Sequence, residues 1–387
     1  MSETISRRIY FDWAATAIPL RFDPAGSYPW GNPSSLHEEG KKAREALEGA
    51  RRTCAHILGV PEHTLFFTSG GTESNALVIH SLLLRPGKPG ILYGATEHPS
   101  VRENAEILRR LEHSVGIIPV ESDGRILSQT LFASLEKFPR TRLVCLMGVN
   151  NETGAIHDIP RLVRELRIFQ SQRGGPPLHI HCDLVQTLGK IPFSLQEADI
   201  DSAAMSAHKL GGPRGIGLLY CRKKVESLLR GGEQEGGLRP GTENVWGAMA
   251  LAHCFEQRAL PSVVRQEHLA ATQRMALLIR ELSRIPGTTL IPADRSPEDP
   301  RFSPYILQVA FQGMPGEVMV RTLNDQGFAV STGSACSAAH QDRPILKAMG
   351  VPEEIARRGI RISQGWTTTE EDIRALVATI FTIIQKG

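Results

Sequence analysis

Apolar residues recur along this chain at two spacings. From Leu36 to Leu58 the spacing is helical: Ala43, Ala46, Leu47, Ala50, Cys54, Ile57 and Leu58 share one face, and Gly59 is placed to stop the helix. A short apolar run, Thr64–Thr68, then leads straight into Ser69-Gly70-Gly71-Thr72, where a second helix carrying Ala76, Leu77 and Ile79 begins. The same order repeats down the chain. Strands are expected at Ile91–Gly94, Leu143–Val149, His179–Cys182, Ser202–Met205 and Gly215–Cys221, with helices at Pro99–Leu111 and Pro160–Ser171. Strands alternating with helices predict an α/β fold whose mostly parallel sheet is covered on both faces. Such sheets bind ligands at the carboxyl ends of their strands, and the polar clusters of this chain lie mainly there.

The pattern changes after Gly231–Gly237, which holds four glycines and reads as a flexible loop. A helix-rich stretch, Val245–Ser283, is followed by Pro286–Pro304, a connection rich in proline and charge. Strands are expected at Ile306–Phe311 and Phe328–Ser331, and helices at Glu317–Gln326 and Ile345–Met349. The last helix, Glu370–Gln385, aligns Ile373, Leu376, Val377, Ile380 and Ile384, with Thr368 and Glu371 spaced for a capping box. This is the pattern of a second, smaller α/β domain. There is no internal repeat.

Composition narrows the function classes. Apolar residues make up 41% and charged residues 22% of 387 residues, which fits a folded chain with ample core. Forty-four basic residues against 41 acidic leave a net charge of +3, too little to draw nucleic acid or a membrane surface. Apolar runs such as Leu143–Met147 are far shorter than the roughly 18 residues of a membrane span. The opening Met1–Arg8 has no apolar signal core, and six cysteines show no Cys-x-x-Cys pair. A reducing, cytoplasmic setting without structural zinc is expected.

Several clusters carry chemistry. Lys209, in Ser206-Ala207-His208-Lys209-Leu210-Gly211-Gly212, follows a strand among small residues. Partial desolvation there lowers a lysine's pKa and makes its amine a nucleophile toward a carbonyl, as pyridoxal phosphate requires. A surface lysine in a turn is the plain alternative. Asp183, at the end of the strand His179–Cys182, can hold a pyridine nitrogen protonated or cap a turn, and Gln186 can donate to the ring's phenolic oxygen. Glycines 70 and 71, between a strand and a helix, let backbone N–H groups reach a phosphate, although glycine-rich turns alone are weak evidence. Ser206 and His208 can add side-chain donors. His98 can stack on a planar ring and move a proton, or be one of thirteen structural histidines. Asn150 and Asn151 either hold a cofactor oxygen or a substrate carboxylate, Asn151 being the candidate cofactor-binding residue, or build a turn. Arg361 either clamps a carboxylate or forms an ordinary ion pair. Cys336 is the one cysteine in small, polar company, placed to carry a sulfur atom, whereas the others sit in apolar segments.

Taken together these motifs resemble the NifS/IscS-like cysteine desulfurases, a group of class-V aminotransferase-like, fold-type I pyridoxal phosphate enzymes. The resemblance runs from Tyr10-Phe11-Asp12 to the last helix. Its motifs come in the family's order: Gly31-Asn32-Pro33-Ser34-Ser35, Thr68-Ser69-Gly70-Gly71-Thr72-Glu73-Ser74, Thr96-Glu97-His98 and Val149-Asn150-Asn151-Glu152-Thr153-Gly154. Asp183 with Gln186, Ser206-Ala207-His208-Lys209, Arg239-Pro240-Gly241-Thr242 and Gly333-Ser334-Ala335-Cys336 complete the set.

The resemblance implies a large cofactor-binding domain over residues 18–255 and a small domain made of 1–17 with 256–387. It implies that Lys209 holds the cofactor covalently and moves protons, that His98 stacks on the ring, and that Asp183 and Gln186 meet its nitrogen and phenolic oxygen. Gly71, Thr72, Ser206 and His208 would bind the phosphate. Thr242 would reach the phosphate of a second subunit in a homodimer. Asn151 and Arg361, with Asn32 nearby, would hold the carboxylate of L-cysteine. Cys336 would take its sulfur as a persulfide, release alanine, and pass the sulfur to an acceptor protein for iron–sulfur cluster or thio-cofactor synthesis. A selenocysteine lyase, a class-V aminotransferase and a poorly active sulfur carrier are the alternatives. Trp13 and Trp366 depart from the family's pattern, as do Leu184-Val185 and a short segment between Thr16 and Gly31.

Overall fold

A computed structural model describes residues 8–23, 28–333 and 343–386. The strands are β1 (Ile9–Tyr10), β2 (Leu65–Thr68), β3 (Gly90–Gly94), β4 (Val115–Ile118), β5 (Thr141–Met147) and β6 (His179–Asp183). They continue with β7 (Ser202–Ser206), β8 (Gly217–Cys221), β9 (Thr288–Ile291), β10 (Ile306–Phe311), β11 (Phe328–Ala329) and β12 (Gly359–Ser363). Helices α1 (Glu38–Leu58), α2 (Gly71–His80), α3 (Pro99–Arg110), α4 (Ser128–Lys137), α5 (Ile159–Arg173) and α6 (Leu195–Ala198) belong to the first half. The second half holds α7 (Val245–Arg258), α8 (Pro261–Leu282), α9 (Gly316–Asp325), α10 (Pro344–Ala348), α11 (Glu353–Arg358) and α12 (Glu370–Lys386).

Seven strands form the main sheet in the order β2-β8-β7-β6-β5-β3-β4. The pairings from β7 through β6, β5 and β3 to β4 are parallel, and those of β2 with β8 and β8 with β7 are antiparallel. The strands β5 to β8 are buried almost throughout because helices cover both faces of the sheet. Beyond the main sheet, the antiparallel sheet β12-β10-β9 packs its apolar face against α8, α9 and α12. The N-terminal strand β1 crosses over to pair with β11, and Phe11 is buried in that same core. This is a large α/β domain with a smaller C-terminal α/β domain.

Local signals set the ends of the helices. Gly59 takes the left-handed conformation at φ 67° and donates its N–H to Ala55 and His56, closing α1. Pro99 opens α3, whose first free N–H, that of Ser100, is capped by the His98 ring.

Some expectations need correction. Two elements, β4 and α4, occupy a stretch assigned no structure, and β9 lies inside the expected connection Pro286–Pro304. Both α11 and β12 were also missed. The capping box of α12 is one residue further on than expected: Thr369 and Asp372 exchange bonds of 3.0 and 3.1 Å, while Thr368 accepts from Gly365 N. In the glycine-rich loop, Glu235 is buried against Arg51 rather than free in solvent.

Candidate active site

The parallel strands β7, β6, β5 and β3 end on one edge of the sheet, and each end contributes a polar group. Asp183 closes β6, Ser206 closes β7 and leads through a tight turn to Lys209, Asn151 follows β5, and His98 follows β3. Register places Asp183 beside Met147 and Ala204.

Asp183 is fixed from behind. Its Oδ1 accepts from Val185 N at 3.0 Å and its Oδ2 from Asn75 Nδ2 at 2.9 Å. The same Asn75 nitrogen donates to Ser100 Oγ at 2.8 Å. Asn75 Oδ1 must therefore be an acceptor, and His181 Nε2 donates to it at 2.8 Å. Burial, with His179 adding to it, pushes His181 down to about 3, so the ring is neutral and its Nδ1 carries no proton. Ser202 Oγ then donates to that Nδ1 at 2.7 Å and accepts from His179 Nε2 at 2.7 Å. On the other side, His98 Nδ1 accepts from the Ser100 backbone N–H at 3.1 Å and from Ser100 Oγ at 2.8 Å. The neutral His98 ring thus carries its proton on Nε2. Burial lowers its pKa, against the pull of Asp183. The neighbouring Glu97 carboxyl is pushed well up, first by burial and then by Asp183. Asn75 joins the carboxylate to the imidazole, and nothing in the sequence patterning marked it.

Lys209 reaches the N-terminal segment. Its Nζ donates to Ala14 O at 2.6 Å and to Ala15 O at 2.7 Å. Gln186 Nε2 donates to the same Ala14 carbonyl at 2.8 Å, and the buried Lys190 donates to Gln186 Oε1 at 2.7 Å. His208 Nδ1 lies 3.2 Å from Thr16 Oγ1. Burial, then the charges of Lys209, Lys190 and Arg214, pushes His208 down to about 4.

The α2 N-terminus faces Ser206. A Cβ on Gly71 would lie 2.6 Å from Val185 Cγ2 and 4.0 Å from Ser206 Cβ, so glycine is needed at this approach. Thr72 is exposed in the first turn of α2. Glu73 in the same turn accepts from Ser69 N and from Arg239 Nε, the latter at 3.2 Å, which ties the Arg239–Thr242 loop to this end of α2.

The two asparagines divide their work. Asn150 builds the turn, its Oδ1 accepting from Glu152 N and Thr153 N at 2.9 Å each. Asn151 keeps a buried Oδ1 with no partner among the described residues. Arg361 on β12 donates from Nη1 to Asn151 O at 2.8 Å and from Nη2 to Asp12 Oδ1 at 2.8 Å. Its Nε is buried and has no partner among the described residues, so an N–H edge remains for a carboxylate. Asn32 and Thr242 are exposed and are not drawn into this cluster. Cys336 lies outside the described residues. The other five cysteines are free and buried, and burial raises their thiols above the ordinary range.

These residues fit pyridoxal phosphate. A lysine amine, a carboxylate fixed at a strand end and a glycine-opened helix N-terminus supply its three anchors. Asn151 Oδ1 and Arg361 Nε, buried and without a partner among the described residues, are polar groups that a bound ligand can satisfy. Among the described residues no group of His, Cys, Asp and Glu could hold a metal ion, and no helix is long and apolar enough to cross a membrane.

Fold and site together define a fold-type I pyridoxal phosphate enzyme. The class-V aminotransferase family model matches residues 9–376. The chain is 34% identical to a cysteine desulfurase IscS of Dictyoglomus turgidum, over 99% of this chain and 96% of the relative. It is 36% identical to a NifS/IcsS protein homolog of Lactobacillus delbrueckii subsp. bulgaricus, over 97% of each. A solved structure of a NifS-like protein superposes with a TM-score of 0.86 at 32% identity, covering 98% of this chain and 100% of that one. The chain belongs to the NifS/IscS-like cysteine desulfurase family of class-V aminotransferases.

Proposed function

We propose that this protein is a pyridoxal phosphate-dependent L-cysteine desulfurase. The observation that carries the reading is the meeting at one sheet edge of Lys209, the Asn75-held Asp183 and the Asn75–Ser100-oriented His98. Relatives named cysteine desulfurases, at 34% and 36% identity over 99% and 90% of this chain, support it.

Bound at this edge, the cofactor supplies an electron sink for the substrate's carbon. Lys209 carries it and moves protons, and Asp183 keeps the pyridine nitrogen charged. Gln186 donates to the phenolic oxygen. Gly71, Thr72, Ser206 and His208 hold the phosphate. His98, with its proton on Nε2, stacks on the ring and exchanges a proton there. Arg361 and Asn151, assisted by Asn32, orient the substrate carboxylate. Cys336 attacks the substrate sulfur as a thiolate: its S–S bond forms as the C–S bond breaks. The C–S electron pair stays with carbon, which takes a proton and leaves as alanine. The persulfide then passes its sulfur to an acceptor protein serving iron–sulfur or thio-cofactor synthesis. A homodimer, with Thr242 reaching the second subunit's phosphate, and a reducing cytoplasmic setting belong to the same proposal. So does a division into residues 18–255 and 1–17 with 256–387, supported by two separate large cores.

The test mixes purified protein with pyridoxal phosphate and L-cysteine and measures alanine and sulfide together, with and without a thiol reductant. Equal catalytic yields that vanish in Cys336→Ala are expected. Turnover surviving Cys336→Ala would point to an aminotransferase. Stoichiometric persulfide without accumulating alanine would point to a sulfur carrier.

A further inference from the structure

Lys190 lies on the turn after β6 with 5% of its surface exposed. Burial first, then the charges of Lys209 and Arg361, brings its amine down to about 7. Both neighbours are cations, His208 faces it from the turn after β7, and among the described residues no carboxylate forms an ion pair with it. His268 Nδ1 touches only its carbonyl, at 3.3 Å. A buried amine among like charges works against folding, and an apolar side chain of its length would pack there at less cost.

The one side-chain bond described for the amine is to Gln186 Oε1, at 2.7 Å. In its protonated form the amine has three donors and no acceptor, so it takes the oxygen end of the amide, which agrees with the amide nitrogen being the end that meets Ala14 O. The NH2 end then faces Ala14 O, 2.8 Å away, on the side where Lys209 Nζ meets the same carbonyl at 2.6 Å. Turning the amide over would set two donors against each other at Lys190 and two acceptors at Ala14. One N–H of Gln186 serves Ala14, and the second is left for the site.

We propose that Lys190 is a positioning residue of the cofactor site, holding the Gln186 amide so that its nitrogen faces the Lys209 side and donates to the cofactor's phenolic oxygen. This rests on the reading of the site as a pyridoxal phosphate site. Lys190 acts only through Gln186, and that makes the two residues separable by a double-mutant cycle.

The experiment measures the dissociation constant for pyridoxal phosphate and the visible absorption of the bound cofactor. It compares wild type, Lys190→Met and Lys190→Arg, each with Gln186 and with Gln186→Ala. Lys190→Met is expected to weaken cofactor binding about 10-fold, the loss of one hydrogen bond to a charged group's partner, and to change the absorption band. Lys190→Arg, which keeps a donor for the amide oxygen, should return binding to within about 3-fold of wild type. In the Gln186→Ala background, Lys190→Met should change binding less than about 2-fold. Should Lys190→Met not fold, Lys190→Leu, which also removes the donor, takes its place in the cycle with the outcomes expected of Lys190→Met. Unchanged affinity and spectrum in Lys190→Met, or an equal loss in both backgrounds, overturns the inference alone. A wild type that takes up no pyridoxal phosphate overturns the functional reading with it.

Discussion

Trp13 and Trp366 meet edge to face with ring centroids 4.6 Å apart and planes at 70°. Two of the residues expected from the sequence to depart from the family's pattern are thus each other's packing partners. Gly365 makes room for them: a Cβ there would lie 2.2 Å from the Trp13 ring. Arg258 covers the far side, 4.2 Å from the Trp366 ring centre, and Gly211 of the Lys209 loop lies against the same indole. The pair therefore wedges the N-terminal segment, whose Ala14 carbonyl receives Lys209, against the loop that carries Lys209.

Removing one ring leaves the other beside a void. Trp13→Ala is expected to lower stability by about 3–5 kcal/mol, the range for a large aromatic deleted from a packed site. Urea unfolding followed by circular dichroism reads this as a lower midpoint. A midpoint within experimental scatter of wild type would show that the pair adds no packing energy.

Arg51 and Glu235 form a buried ion pair with two bonds of 2.8 Å, and Glu235 also accepts from Phe67 N at 2.7 Å. Glu235→Leu removes the buried partner of Arg51, leaving it the more exposed Glu48, and takes the acceptor from Phe67 N; it is expected to cost about 3–5 kcal/mol. The double replacement Arg51→Met with Glu235→Leu should cost less than that single change, because no buried charge remains. A double variant weaker than the single one would contradict this.

The buried histidines make the protein sensitive to acid. His179 is pushed down to about 4 and His181 to about 3, burial being the larger cause for each. In the unfolded chain both titrate near 6.5. Below that pH the unfolded state binds more protons than the folded one, so stability falls as pH drops and continues to fall towards 3 for His181. Each group contributes up to about 1.4 kcal/mol per pH unit. Urea midpoints measured between pH 7 and pH 5 should decline in wild type and decline less steeply in His181→Gln. Parallel slopes would remove His181 from the account.

Arg361 holds Asp12 and the Asn151 carbonyl with its terminal nitrogens, and its Nε has no partner among the described residues. Arg361→Lys retains a charge but loses the planar fork. The expected outcome is a KM for L-cysteine raised about 10- to 100-fold, the equivalent of one to two charge-assisted bonds, with pyridoxal phosphate still bound. Initial rates across L-cysteine concentrations, with the cofactor spectrum as control, decide it; an unchanged KM would remove Arg361 from substrate binding.

Much of this site is legible in the sequence because strand–helix alternation locates the strand ends, and Asp183, Lys209, His98 and Asn151 stand there. Other parts are not. Asn75 ends the polar run Thr72-Glu73-Ser74-Asn75 in the first turns of α2, which reads as a solvated helix start, yet Asn75 is buried against the sheet. Lys190 reads as an exposed lysine, and only the fold buries it. The Trp13–Trp366 contact joins the two ends of the chain, which no local pattern reports. The strand β12, which carries Arg361, is five residues long with two isoleucines, too little for a periodic signal. In β4, Gly116 interrupts a strand of only four residues, which leaves no apolar run to mark it.

The central claim is that L-cysteine gives up its sulfur to Cys336 at the site built around Lys209. Its most direct measurement is a single turnover: the pyridoxal phosphate-loaded protein is mixed with L-cysteine in the absence of reductant, alanine is quantified, and the persulfide is located by peptide mass spectrometry. The account predicts about one alanine per cofactor-bearing chain, as the attack of one thiolate requires, with the extra sulfur on the peptide that carries Cys336. Cofactor bound without alanine, or alanine formed with no sulfur on that peptide, would contradict it.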